Sequence, residues 1–422
     1  MHTTRHPFHS SRRVAAALVG TTMVLAAAAA ASEHAAMAGG DRSPTLVGRA
    51  VLPVETYAPG PPSGTLLPAG VVNGISFPLP SQPVEGFSAI VDGRHRGEYL
   101  AMTDNGFGGK ATSKDFLIRA YYIEPDFKSA AGGDGSVDVG LDDYIQFSDP
   151  NHLIGFTIVN ESTTERALTG GDIDPESLQR GRQGDLWVGD EFGPWILHFD
   201  AQGRLLDPPF PTPGGLMSPN NPFLVGPASQ PNSRGFEAMA MSTNEKYLYP
   251  ILEGATVADS DAQRRLIFEF STEDEAFTGR TWQYKTENPA FMIADADTID
   301  GDRLVVIERD GGLGVTALFR NAYVIDLDRT GPDNFVEKQV AVDLANIADP
   351  DLVSLPEVHS GDIGIGNPFK VACESIEAVH VLHHGELLFG CDNNFPNKGR
   401  NPGLADDTEF IVVEAPGLDN GH

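Results

Sequence analysis

Basic residues are scarce in this chain, and their scarcity removes whole classes of function. Twenty-nine Lys and Arg face 59 Asp and Glu, for a formal net charge of −30. A surface of that sign repels nucleic acid and anionic lipid and has no basic face for either. Apolar runs are short too: after Val14–Ala31, no stretch approaches the ~20 residues that a spanning helix needs. There is no Gly-x-Ser-x-Gly nucleophile elbow, no His-Glu-x-x-His pair and no ligand-spaced set of Cys and His. A lipase-like serine esterase and a zinc hydrolase are therefore disfavoured. Only two cysteines occur, Cys373 and Cys391, and both a disulfide and two buried thiols stay open for them.

What is present begins with an export signal. Arg12 and Arg13 precede the apolar run, and small residues around Ala36-Met37-Ala38 would admit a signal peptidase. Residues 1–38 are expected to be removed, by a twin-arginine or an ordinary secretory route. Residues 39–422 then form one domain, periplasmic or secreted and monomeric.

Repetition organises that domain. Five apolar hairpins carry polar residues at matching ends: Ser88 and Asp104, Asp174 and Asp190, Glu237 and Glu253, Asp297 and Glu308, Glu377 and Asp392. After each pair comes an alternating stretch that reads as a third strand, at 116–125, 195–204, 265–274, 322–331 and 409–417. Weaker fourth strands follow in some units, such as Asp143–Asp149, Gly279–Lys285 and Lys338–Leu344. The last unit lacks one, and residues 46–54 could supply it. This pattern predicts an all-β chain, a β-propeller of five or six four-stranded blades closed by an N-terminal strand.

In such a ring the first strand of each blade lines a central channel, and its partner returns to the same rim. Asp104, Asp174, Asp190, Glu237, Glu253, Asp297, Glu308, Glu377 and Asp392 would then crowd one mouth. Close carboxylates cannot all stay ionised without counter-charge, and a hard divalent cation supplies it through oxygen ligands. An all-oxygen donor set points to calcium rather than zinc.

Several ordered motifs resemble the phytase-like family, described as having "esterase-like activity of phytase". They are TDNGFGGK (103–110), SKDF (113–116), GDIDPES (171–177), VGDEFGPWILHFDAQGRLL (188–206), RGFEAMA (234–240), IERDGGLG (307–314), ESIEAV (374–379) and CDNNFP (391–396). The resemblance covers about residues 84–396. It implies an exported bacterial propeller hydrolase, likened by name to calcium-dependent phytases that cleave phosphomonoesters. A small anionic ester is the expected substrate. Arg234, Arg309 and Lys110 are candidates to steady phosphate charge, and Glu191 or Asp310 to act as general base. Two other readings remain: a divalent-metal lactonase or carboxylic esterase, and a non-catalytic calcium-stabilised binding propeller.

Overall fold

The computed structural model describes residues 43–418, and the export signal expected over residues 1–38 lies outside them. Among the described residues the only helical segments are three single 3-10 turns, Pro213–Gly215, Gly314–Thr316 and His383–Gly385. Strand β1 is Thr45–Leu52. Two small ladders follow, β2 (Tyr57–Ala58) with β5 (Gln82–Pro83) and β3 (Gly70–Val72) with β4 (Ile75–Phe77). The chain then builds β6 (Phe87–Asp92), β7 (Tyr99–Thr103), β8 (Arg119–Asp126) and β9 (Ser136–Gln146). Next come β10 (Pro175–Arg180), β11 (Leu186–Asp190), β12 (Trp195–Phe199) and β13 (Phe210–Pro211). They are followed by β14 (Phe236–Met241), β15 (Tyr247–Leu252), β16 (Arg264–Ser271) and β17 (Ala276–Lys285). The series ends with β18 (Met292–Asp300), β19 (Arg303–Arg309), β20 (Arg320–Thr330) and β21 (Val336–Asp343), then β22 (Ser375–Val381), β23 (Glu386–Asp392) and β24 (Thr408–Glu414).

Strands β10 to β13, β14 to β17 and β18 to β21 each form an antiparallel four-stranded sheet in chain order. The remaining sheet has eight strands in the order β22-β23-β24-β1-β9-β8-β7-β6. Its two halves are joined in the ladder where Val51 of β1 pairs in parallel with Ser136 of β9, while β1 runs antiparallel along β24 over its whole length. First strands touch in sequence, β6 on β10, β10 on β14, β14 on β18, β18 on β22 and β22 on β6. The architecture is all-β and propeller-like.

Local sequence explains which strands lie inside. β12 reads Trp-Ile-Leu-His-Phe and is buried at every position, as a short continuous apolar run predicts. β17 buries only Trp282 and Tyr284 fully, and presents Arg280 and Lys285 outward. Charge at such an outer strand keeps an open edge from pairing with another chain. The apolar cores sit between neighbouring sheets. Ile251, Trp282 and Tyr284 of one sheet pack with Leu304, Val306 and Tyr323 of the next, each such side chain contributing about 1.5–3 kcal/mol on burial.

First strands share one irregularity. Their ladder to the second strand slips between Phe87 and Ala89, Pro175 and Ser177, Phe236 and Ala238, and Ile376 and Ala378. In β18 the slip falls between Ile293 and Ala296. The residues left inside these bulges are Ser88, Glu176, Glu237, Glu377 and, in β18, Ala294 with Asp295. A bulge bends its strand and re-aims one side chain. Cys373 and Cys391 are joined in a disulfide that ties the segment before β22 to the end of β23.

Candidate functional site

Three of the bulge residues are glutamates, and they converge. Glu176, Glu237 and Glu377 bring carboxylate oxygens within 4.8 Å of one another, as do Asp174, Glu176 and Glu191, and Glu191, Glu237 and Glu253. At that spacing one ion can be shared. The second-strand ends supply the other members, because Asp104, Glu191 and Glu253 directly follow β7, β11 and β15, and Asp392 closes β23. All of these carboxylates are buried except Asp104, which is partly buried.

Burial and mutual repulsion act on them in one direction. Desolvation, then the neighbouring acids, raises Asp104, Glu176, Glu191, Glu237 and Asp392 well above the usual carboxylate range. Asp174 is pushed up to about 6 and Asp190 to about 7, again chiefly by burial. Glu85 lies beside Asp104 and Asp392, is fully buried, and has no hydrogen-bond partner on either oxygen. Asp174 Oδ1 is likewise without a partner. An unpaired buried carboxylate is costly, and these groups favour the protonated form or a bound cation.

Cations of the chain offset part of this charge. Arg309 donates through Nη2 to Glu377 and lies 4.0 Å from Glu253. Burial works against its charged form, but Glu377, Glu253 and Glu237 outweigh burial and keep it protonated. Arg234 donates to Glu253 at 2.6 Å. Lys110 donates to the Asn220 carbonyl at 3.1 Å and lies over the Phe192 ring at 5.0 Å. Burial lowers its ammonium, against the pull of Asp190, Asp172 and Asp174.

The sequence pattern of the phytase-like family, described as esterase-like activity of phytase, matches residues 82–395. The chain belongs to the phytase-like family. That span holds every carboxylate named above, and leaves β1 and β24 outside it. A relative described as an uncharacterized secreted protein of Arthroderma benhamiae is 26% identical over 148 residues, which is 31% of this chain and 29% of that protein. The match thus spans under a third of the relative's length. Solved structures resemble the phytase-like chain distantly. A luciferin-regenerating enzyme shares 10% identity at a TM-score of 0.34, over 78% of this chain and 77% of that one. A β-1,3-galactosidase shares 11% at 0.39, over 78% and 91%.

Not every expected site residue of this phytase-like protein enters the cluster. Asp190 accepts the amides of Asp174 at 2.8 Å and Gly193 at 2.6 Å, which pins the loop after β11. Asp310 accepts the amides of Gly312, Leu318 and Phe319, so both its oxygens hold the loop after β19. Glu308 is bonded by Tyr284, the Glu287 amide and Lys338. Asp297 is bonded by His380 and the Thr298 and Val381 amides. The bulge residue Asp295 accepts the Val379 amide at 2.8 Å, joining β18 to β22. The sheet of β18 to β21 therefore sends a guanidinium, Arg309, where three others send carboxylates.

Glu85, Glu176 and Asp295 were not expected. Glu176 had a readable signal: Pro175-Glu176-Ser177 matches Phe236-Glu237-Ala238 and Ile376-Glu377-Ala378 as the bulge triplet. Alignment on Asp174 instead places the acid two residues early.

Proposed function

We propose that this phytase-like chain is a secreted, divalent-cation-dependent hydrolase of phosphoric esters. Its ring is read as five blades, with β1 closing the fifth. The carrying observation is the set of three interlocking carboxylate triads, which share Glu176, Glu191 and Glu237 in a buried setting. Secretion is supported by the N-terminal apolar segment, the disulfide and the relative described as secreted.

The donor set suits a hard cation. It is all oxygen, without Cys or His, and the unpartnered oxygens of Glu85 and Asp174 are where an added positive charge lowers the energy most. Asp174, Glu176, Glu237, Glu253 and Glu377 would hold calcium, with Asp104 and Asp392 flanking and Glu191 beside them. Bound there, calcium supplies charge neutralisation and Lewis-acid polarisation for a phosphoryl oxygen.

The remaining roles belong to side chains of the centre. Arg309 and Arg234 offer guanidinium N–H groups to phosphate oxygens as negative charge grows on them. Lys110 adds a third, partly buried cation. Glu191 has Oε1 held by the Gly235 amide at 3.1 Å, and its second oxygen lies outside that bond. It serves as base, taking a proton as water adds to phosphorus and the ester oxygen leaves. Asp297, Glu308 and Asp310 are not given roles, since both oxygens of each are already engaged.

The test is phosphate release from p-nitrophenyl phosphate and from phytate, by protein stripped with EDTA and then given calcium. Release restored by calcium is the expected result. Because the family description names an esterase-like activity, p-nitrophenyl acetate is assayed alongside. Turnover of the acetate alone would replace this reading with a carboxylic esterase.

A further inference from the structure

The first strands have a second end, and its chemistry differs. Glu176 and Arg180 lie at opposite ends of β10, roughly 13 Å apart at the usual rise of a strand. At the Arg180 end a cavity of about 480 Å³ is lined by residues that include Asp92, Arg94, Arg180, Arg182, Glu245 and His380. That volume lies within the range of small-molecule sites. In a chain of net charge −30, four cationic groups around one cavity are out of keeping with the rest.

Most of these charges are already balanced. Arg94 is paired with Glu98 at 2.5 Å and Asp143 at 2.8 Å. Arg182 is held by Glu245 at 2.7 Å, and Glu245 also accepts the Arg182 amide. His380 sits between Asp297 at 3.0 Å and Asp92 at 3.2 Å. Arg180 is the exception: it donates to the Asp92 and Gly93 carbonyls at 3.2 and 3.0 Å, and among the described residues no carboxylate forms an ion pair with it. Its hydrogen-bond acceptors are neutral oxygens, and the Asp92 carboxylate acts on it only at longer range than an ion pair. Gly93 and Gly181 also line the cavity, and a Cβ on Gly93 would stand 2.6 Å from the Glu98 carbonyl oxygen.

We propose that this cavity, at the mouth opposite the carboxylate centre, binds a small oxyanion, with Arg180 as the anchoring cation and Arg182 at the rim. Arg180 offers N–H donors in the fork that carboxylates and phosphates accept. Arg182 is largely exposed and can turn from Glu245 to the ligand. The site is independent of the hydrolase reading, because no residue of the centre lines it.

The experiment is calorimetric titration of the EDTA-treated full-length mature protein with inorganic phosphate and, separately, with citrate. Without a metal the carboxylate centre repels both probes. Saturable binding of one or both is expected, weakened at least tenfold in Arg180→Gln and in Arg182→Gln and unchanged in Glu237→Gln. Preference between the probes tells phosphate from polycarboxylate ligands. Arg182→Gln keeps the test valid should Arg180→Gln fail to fold, since Arg182 is a surface side chain. No saturable binding of either probe, or binding untouched by the arginine substitutions, would overturn the proposal. Binding lost in Glu237→Gln but kept in Arg182→Gln would also overturn it, by assigning the anion to the other mouth.

Discussion

Arg309 shows how finely charge is set in the centre, because one buried guanidinium bonds Glu377 and faces Glu253 and Glu237. Arg309→Met is expected to destabilise EDTA-treated protein by about 3–5 kcal/mol in urea unfolding, the usual effect of leaving a buried charge unpartnered. Saturating calcium is expected to return a good part of that loss. Equal losses with and without calcium would mean that Arg309 and a cation do not serve the same carboxylates. Glu176→Gln is expected to cut calcium-dependent phosphate release at least tenfold, about 1.4 kcal/mol, and unchanged release would remove Glu176 from the site. At this scale the sequence was only partly legible. Glu237, Glu253 and Glu377 announce themselves by spacing, and so do Asp104 and Asp392. Asp297 carries the same signal, yet it lies beyond the bulge of β18 and turns to His380. A bulge changes by one or two residues which side chain reaches the axis, and no local property of an acid reveals that.

Strands were far easier to read than bulges. The stretches expected at 195–204, 265–274, 322–331 and 409–417 became β12, β16, β20 and β24, and residues 46–54 became β1, because two-residue alternation survives any error in register. The fourth strand of the second sheet escaped notice for a physical reason: β13 is two residues long and ends in Pro211. Pairing of Cys373 with Cys391 could not be read from two cysteines alone; it needs β22 and β23 side by side. That bond closes a loop of sequence separation 18 directly before Asp392. Replacing both cysteines by serine is expected to cost about 3 kcal/mol of stability by loop-closure entropy. Calcium affinity is expected to fall with it, as Asp392 loses its anchor. Lost stability with unchanged affinity would detach Asp392 from the cation site.

For the whole molecule, the burial of many like charges at one mouth makes folding depend on pH in a stated direction. Asp174 and Asp190 stand at about 6 and about 7 in the fold, against an ordinary 3.8. A carboxyl whose pKa is higher folded than unfolded favours the fold while protonated in both states, and that contribution is lost as pH climbs through the folded value. In EDTA the melting midpoint is therefore expected to fall between about pH 4 and pH 7, and calcium is expected to flatten the profile. A flat profile in EDTA would show that these acids are solvated or paired. The propeller-like arrangement was visible in the sequence through repetition, whereas the identity of the sheet that contributes a cation was not, since Arg309 is an ordinary arginine until β19 is placed beside β22.

The most direct test of the central claim is calorimetric titration of calcium into EDTA-stripped protein and into Glu237→Gln. Glu237 belongs to two of the three carboxylate triads. Saturable binding by the wild type, weakened at least tenfold in the variant, is the predicted result. No binding by the folded wild type, or binding indifferent to Glu237, would contradict the account.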